Sequence, residues 1–192
     1  LIFFFFFLHE ISFEEHLSNK DQIYRVVSKK STQKGINYEK GVPYPLHKAL
    51  RSELLNYDEV ASLAFTSGVN IEADKHYYVE NGAVFTDSVF CDFFEVEFIS
   101  GKPSILNEPG NVILTQSLAD KYFENANPIG KKIVYDRRLN LTVKGVIKDP
   151  PSKTHLPFQM LISREDLSDK IVGLDYDRWG TNLSMFGTYV KI

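Results

Sequence analysis

Apolar positions along the chain fall into short runs whose period shifts between two and nearly four, the signature of mixed strands and helices. The stretch DQIYRVVSKKS is rich in β-branched and aromatic residues and predicts a strand from about Gln22 to Ser28. GINYEKGVPYP reads as a turn-rich connection. Leu46, Leu50 and Leu54 then repeat at helical spacing, with Pro45 suited to the first turn. EVASLAFTSG returns to strand, so the chain opens as β-α-β. HYYVENGAVFTD predicts two short strands around Asn81-Gly82, the strongest local hairpin signal. SVFCDFFEVEFISG predicts a short helix capped by Asp87 or Ser88 and stopped by Gly101. NVILTQSLADKYF changes from strand to helix at about Ser117, and NPIGKKIVYD is a turn followed by a strand. LTVKGVIKD predicts a strand in which Gly145 marks a bulge or a close approach. DPPSKTHLPF is a rigid loop, FQMLISRED a strand, and the chain runs to Ile192 in a last strand.

One block does not fit a globular pattern. Leu1–Leu8 is wholly apolar and contains five consecutive phenylalanines. It lacks the basic n-region and small-residue cleavage site of a signal peptide. It is also shorter than the roughly 20 apolar residues a spanning helix needs. The end of a membrane helix, a core strand and a segment foreign to the protein remain as readings. After Leu8 no apolar run is long enough to cross a bilayer.

Composition adds little beyond an ordinary folded domain: 43% of residues are hydrophobic and 24% charged. The net charge of -3 argues against a nucleic-acid partner, which would call for a basic surface. Cys91 is the only cysteine, so there is no intrachain disulfide and no Cys-based zinc site. Its apolar neighbours predict a buried, inert thiol. His9 and His16 miss the H-E-x-x-H spacing, and His47, His76 and His155 stand alone, so no metal site is expected.

NANPIGKKI superficially resembles a phosphate-cradling loop. Asn125 replaces the first glycine of that pattern and Lys132 its hydroxyl residue, so a turn pinned by Asn127-Pro128 and Gly130 is the better reading. Acidic pairs such as Glu14/Glu15, Glu95/Glu97 and Glu165/Asp166 read as solvated faces. No G-x-S-x-G elbow occurs. No catalytic, cofactor-binding or metal-binding residue is assigned.

Five stretches in order resemble the periplasmic core domain of MacB/FtsX-type ABC transporter permeases, in the form common in Bacteroidetes. They are SFEEHLSNKDQIYRVV, FTDSVFCDFFEVEFISGKP, VILTQSLADKYFENANPIGKKI, LTVKGVIKDPPSKTHLPF (with Thr154 where the family usually has Ser) and DRWGTNLSMFGTYVKI. The resemblance implies an α+β fold. A porter-like β-α-β subdomain is interrupted by a mixed α/β sabre-like subdomain, and the whole is truncated at both ends. Residues 1–9 would end the first transmembrane helix, 10–72 open the porter-like part, 73–148 form the sabre-like insertion, and 149–192 return to the porter-like part.

The function so implied is non-catalytic: coupling ATP hydrolysis in the cytoplasm to periplasmic conformational change, for export or mechanotransmission. The implied setting is the inner membrane, with this domain in the periplasm. The implied partners are a cytoplasmic ABC ATPase subunit or domain, a second permease in a homodimer or heterodimer, and a periplasmic or outer-membrane protein. No cofactor and no nucleic acid are implied. Two other classes stand beside this reading. One is a membrane-tethered periplasmic hydrolase using acids such as Asp120 or Asp149. The other is a sensor domain with one apolar ligand pocket.

Overall fold

The computed structural model describes residues 17–32, 35–53, 59–124, 126–151, 154–173, 175–179 and 182–192. The Leu1–Leu8 block, His9 and His16 lie outside the described residues.

Thirteen strands and four α-helices alternate through these residues. β1 (Ile23–Arg25) is followed by a separate two-stranded sheet, β2 (Ser28–Thr32) with β3 (Gly35–Glu39). β4 (Val42–Pro43) leads into α1 (Leu46–Glu53), then β5 (Val60–Ala73), β6 (His76–Thr86) and α2 (Ser88–Phe93). β7 (Phe98–Ser100), β8 (Asn111–Thr115), α3 (Gln116–Phe123), β9 (Lys132–Tyr135), β10 (Leu139–Ile147) and β11 (Met160–Ser163) follow. α4 (Asp169–Val172), β12 (Asn182–Leu183) and β13 (Phe186–Lys191) complete the chain.

Nine strands form one sheet in the order β1-β13-β5-β6-β11-β8-β10-β7, and β9 pairs with both β10 and β5. The pairings β5-β6-β11-β8-β10-β9-β5 therefore close into a ring of six strands. Two long strands make closure possible by changing neighbours. β5 pairs with β13 over residues 60–64 and with β9 over residues 71–73. Between these stretches its register shifts around Ser67–Val69, where Gly68 has φ +67°. β10 pairs with β9 over residues 139–142 and with β7 at residues 146–147, with a register shift at Gly145. Such bulges bend a strand and increase its twist, which lets one strand serve two neighbours. The expectation of a bulge at Gly145 holds, and Ile113 comes within 3.2 Å of the Cβ position there.

The opening is a split β-α-β unit. β1 and β5 are both antiparallel to β13, so they run parallel to each other with the last strand between them.

Both faces of the sheet are covered, and the period-2 alternation of each strand sorts residues between two cores. On β8, Val112 and Leu114 enter one core while Ile113 enters the other. β11 divides the same way, with Met160 and Ile162 opposite Leu161. The first core lines the ring and takes Leu118, Ala119, Tyr122 and Phe123 from α3. The second lies under α2 and takes Phe90, Cys91, Phe93 and Phe94. All five residues of β8 are buried, which is why NVILT shows no polar face. Cys91 packs here as a small hydrophobe, and burial pushes its thiol up to about 12.

Several local expectations need correction. The stretch from Gln22 to Ser28 is not one strand: it breaks after Arg25, and the connection that followed it contains β3 and β4. Asn81-Gly82 is not a hairpin turn. β6 continues through it with a register shift at Gly82 (φ +79°), and the turn lies at Asp74-Lys75, both with positive φ (45° and 66°). Asn81 instead serves the bulge on β5, its Oδ1 accepting from Gly68 N at 2.9 Å. Asp87 caps α2 by accepting from Val89 N at 3.2 Å, but α2 ends at Phe93 rather than at Gly101. α3 starts at Gln116, one residue before the expected position, and is capped by Thr115 Oγ1.

The NPIGKK turn has its backbone committed. Ile129 N donates to Asn127 Oδ1 at 3.1 Å, and Gly130 N to Val143 O at 2.8 Å. Lys131 N donates to Pro128 O at 3.0 Å. The Lys131 ammonium lies over the Phe123 ring, 4.5 Å from its centroid, so this cation is not simply solvated.

Two glycines make different demands. Gly130 has φ +85° with open space where a Cβ would go. Gly82 has φ +79°, and a Cβ there would sit 2.4 Å from the Pro157 carbonyl oxygen. Gly130→Val is expected to cost about 1–2 kcal/mol from the positive φ. Gly82→Ala is expected to cost a comparable strain plus about 1–3 kcal/mol of overpacking. Urea unfolding of both variants checks this, and a Gly82→Ala midpoint equal to the parent's would refute it.

Candidate functional site

A concentration of buried polar groups lies where α1 meets the start of β5 and the ends of β6 and β11. α1 begins where Pro45 offers its carbonyl to Lys48 N and Ala49 N. The leucine spacing predicts an apolar inner face, yet Leu46 and Leu50 are only half-buried and the buried residue is His47. Arg51 lies one turn further on the same face. Asp87 follows the last residue of β6, and Arg164 follows the last residue of β11.

These side chains meet around the Asp87 carboxylate. Arg51 Nη1 donates to Asp87 Oδ2 at 2.7 Å and Nη2 to Oδ1 at 3.3 Å. Arg164 Nε lies 3.4 Å from Asp87 Oδ2. The same two guanidiniums hold the start of β5. Arg51 donates twice to the Val60 carbonyl, at 3.0 and 2.6 Å, and Arg164 donates to the Ser62 hydroxyl and the Ser62 carbonyl. Asp87 thereby ties α1, β5, α2 and the turn after β11 into one joint. Burial would raise its pKa, but Arg164 and Arg51 outweigh burial and hold the carboxyl below its ordinary value.

His47 completes the joint, and its tautomer follows from its partners. Nδ1 lies 2.6 Å from the Tyr44 carbonyl, which can only accept, so Nδ1 carries the hydrogen. Nε2 lies 3.0 Å from Arg164 Nη1, which can only donate, so Nε2 accepts. The ring is neutral. Burial first, and the facing Arg164 charge second, push its pKa down to about 3. The Tyr44 ring packs edge-on against His47, with centroids 4.9 Å apart, under the Arg164 guanidinium.

This chemistry holds parts together. The Ser62 hydroxyl faces a guanidinium, which cannot take its proton. His47 has both nitrogens engaged. Sequence reasoning missed the joint because its charged contacts are distant in sequence: Arg51 and Asp87 are 36 residues apart, and His47 and Arg164 are 117 apart. Only Asp87 was visible beforehand, as a helix cap.

The acids singled out for a hydrolase are engaged elsewhere. Both carboxylate oxygens of Asp120 accept from Gln116 Nε2, at 2.9 and 3.0 Å. Asp149 Oδ2 accepts from Ser117 N at 3.3 Å and from Ser117 Oγ at 2.9 Å. Asp120 borders a depression of about 180 Å³ between β7, α3 and the NPIG turn, lined by Ile99, Gln116, Ala119, Asn127 and Ile129 among others. That is below the roughly 300–1,000 Å³ of typical ligand pockets. Among the described residues, no group of three or more His, Cys, Asp or Glu is placed to hold a metal ion. Among them, too, no helix is long and apolar enough to cross a membrane.

The model of a family described as MacB-like periplasmic core domain matches residues 2–191. No curated protein matches the sequence. Among solved structures, the chain is similar to a domain described as part of a permease protein from Porphyromonas gingivalis. The TM-score is 0.72 at 19% identity, covering 90% of this chain and 75% of that one. It is also similar to the periplasmic region of MacB from Actinobacillus actinomycetemcomitans, with TM-score 0.60 at 17% identity, covering 79% of this chain and 64% of that one. A third similar structure is the extracellular domain of the noncanonic ABC-type transporter YknZ from Gram-positive bacteria. Its TM-score is 0.61 at 14% identity, covering 88% of this chain and 82% of that one. At these identities the likeness carries the fold.

Titration of His47 gives a test of the joint. Its native pKa lies below the unfolded value of about 6.5, so the unfolded chain binds the proton first. Its contribution is complete above about pH 6.5 and is lost progressively as pH falls toward 3. The loss at pH 5 should be about 2 kcal/mol. Asp87, with its lowered pKa, adds a further loss only below about pH 4. His47→Gln, which does not titrate, is expected to flatten the stability profile between pH 7 and 5. Identical slopes for parent and variant would contradict the assignment.

Proposed function

The chain belongs to the MacB-like periplasmic core domain family, and on that premise we propose that it is a non-catalytic domain coupling cytoplasmic ATP hydrolysis to movement in the periplasm. The family implies association with an ABC ATPase and dimerisation of the permease. In the proposed mechanism, ATP is hydrolysed by the cytoplasmic ATPase subunit or domain. The membrane helices move in response, and the two periplasmic domains of a permease dimer open and close. The output is export or mechanotransmission, received by a periplasmic or outer-membrane partner. We place the protein in the inner membrane, with this domain in the periplasm and residues 1–9 ending the first transmembrane helix. Residues 10–72 and 149–192 would make the porter-like subdomain and residues 73–148 the sabre-like one, both sharing the nine-stranded sheet.

The single observation that carries this reading is the family match over residues 2–191. The structure supports the mechanical part of it. A lever must transmit displacement without yielding. Here the closed strand ring and the Asp87 joint connect helix, sheet and turn through charge-assisted hydrogen bonds, which are stronger than neutral ones. Engagement of Asp120 and Asp149 in structural hydrogen bonds favours this reading over a hydrolase.

The test uses the whole permease with its ATPase in proteoliposomes. Deleting residues 17–192 is expected to leave basal ATP turnover in place while abolishing the periplasmic output. The isolated chain is expected to show no turnover of ATP, peptide or ester. Hydrolysis by the isolated chain, or full output without the domain, would overturn the proposal.

A further inference from the structure

The β2–β3 hairpin is the one part of the described structure that forms a two-stranded sheet of its own at this length, paired from Ser28↔Glu39 to Thr32↔Gly35. A two-stranded hairpin is marginally stable alone in water, so it benefits from a surface to rest on. Its sequence is amphipathic. Lys29 stands opposite Tyr38, and position 31 stands opposite Ile36, so Tyr38 and Ile36 share one face with Lys29. The other face carries Asn37 and Glu39. Ile36 and Tyr38 are 57% and 47% exposed, and Val27, at the entry to the hairpin, is 44% exposed. With Tyr24, these make four of the ten large apolar side chains exposed among the described residues. Of these, Ile36 and Tyr38 share one hairpin face, and neighbouring exposed apolar side chains suit an interaction surface.

Charge is segregated into the same segment. Residues 20–40 contain six basic residues, from Lys20 to Lys40, against Asp21 and Glu39, a net +4. The whole chain carries -3, so the remaining residues carry -7. An acidic protein thus concentrates its positive charge on the stretch where it also exposes aromatic and branched apolar side chains. That combination is complementary to an anionic lipid surface. Tyrosine and branched residues suit the headgroup boundary, and lysine suits lipid phosphates. The occupant is also close along the chain, since the hairpin begins 20 residues after the apolar block Leu1–Leu8 ends.

We propose that the β2–β3 hairpin docks on the surface of an anionic bilayer, its Ile36–Tyr38 side entering the headgroup region and its basic residues meeting lipid phosphates. The inference rests on the reading of this chain as a membrane-tethered periplasmic domain. It gives the lever a fulcrum. The hairpin holds the start of the domain against the membrane, so movement of the membrane helices tilts the sheet. β1, which pairs with β13 at one end of that sheet, immediately precedes the hairpin.

The test places an environment-sensitive fluorophore at Ile36→Cys in the 192-residue chain, with Tyr77→Cys at the tip of the β5–β6 hairpin as comparison. Native Cys91 is buried, with its thiol pushed up to about 12, and does not compete for the label. Vesicles are phosphatidylcholine alone or phosphatidylcholine with phosphatidylglycerol, with brominated lipid as quencher. With anionic vesicles the label at 36 is expected to shift to the blue and be quenched, while the label at 77 keeps its emission in water. In unlabelled chain, Lys29→Gln is expected to lower affinity for anionic vesicles about fivefold and leave neutral ones unaffected. If the chain floats with vesicles but the label at 36 stays water-like, the docking inference fails and the tethered reading survives. A blue shift without lipid that grows with protein concentration identifies a second copy as the occupant and overturns the inference. No flotation with either vesicle overturns both readings.

Discussion

The Asp87 carboxylate is the point on which this architecture depends. It sits nearly buried between two guanidiniums that also hold the carbonyls of Val60 and Ser62. Burying a carboxylate is costly unless it is paired and hydrogen-bonded, and each guanidinium carries the same cost. None of the three charges is tolerable at this position without the others. The joint therefore specifies a single arrangement of α1, β5, α2 and the turn after β11. A purely apolar contact would hold the same pieces with less directional constraint, and for a domain that transmits force the direction matters.

The joint and the closed sheet divide the mechanical task. The ring of six strands is stiffened by two cores, and its strands are joined at both ends through β5 and β10. α1 lies outside that ring and reaches it through charge-assisted hydrogen bonds to β5. His47 adds sensitivity to acid at the same contact. Its neutral ring accepts from Arg164, and a second proton would set two donors against each other. The rigid part of the domain is thus apolar and closed, and the connection to its opening segment is polar and directional.

The sequence made some of this legible. The helix at Leu46, the strand-to-helix change near Ser117, the bulge at Gly145 and the turn at Asn127-Pro128 are each set by residues close in sequence. The errors have a common physical cause. Asn81-Gly82 carries the local chemistry of a hairpin turn, but cross-strand pairing with β5 and parallel pairing with β11 carried β6 through it. Asp74-Lys75 adopts the turn, although Lys75 at positive φ is a residue that propensity alone would not choose. The closed ring depends on β9 meeting β5 some sixty residues away, which local patterning does not record. The joint was invisible for the same reason. The family resemblance, carried by five stretches in order, gave the fold class that local patterns could not.

The central claim is that the Asp87 joint couples α1 to the sheet as one mechanical unit. Native-state hydrogen exchange in the parent and in Asp87→Asn tests it most directly, because exchange resolves local opening from global unfolding. The account predicts that amides of α1 and of the first turn of α2 lose protection together in the variant. Amides of β8 and β11, deep in the ring, would then change only as much as global stability does. Unaltered protection in α1, or a uniform loss across every element, would contradict it.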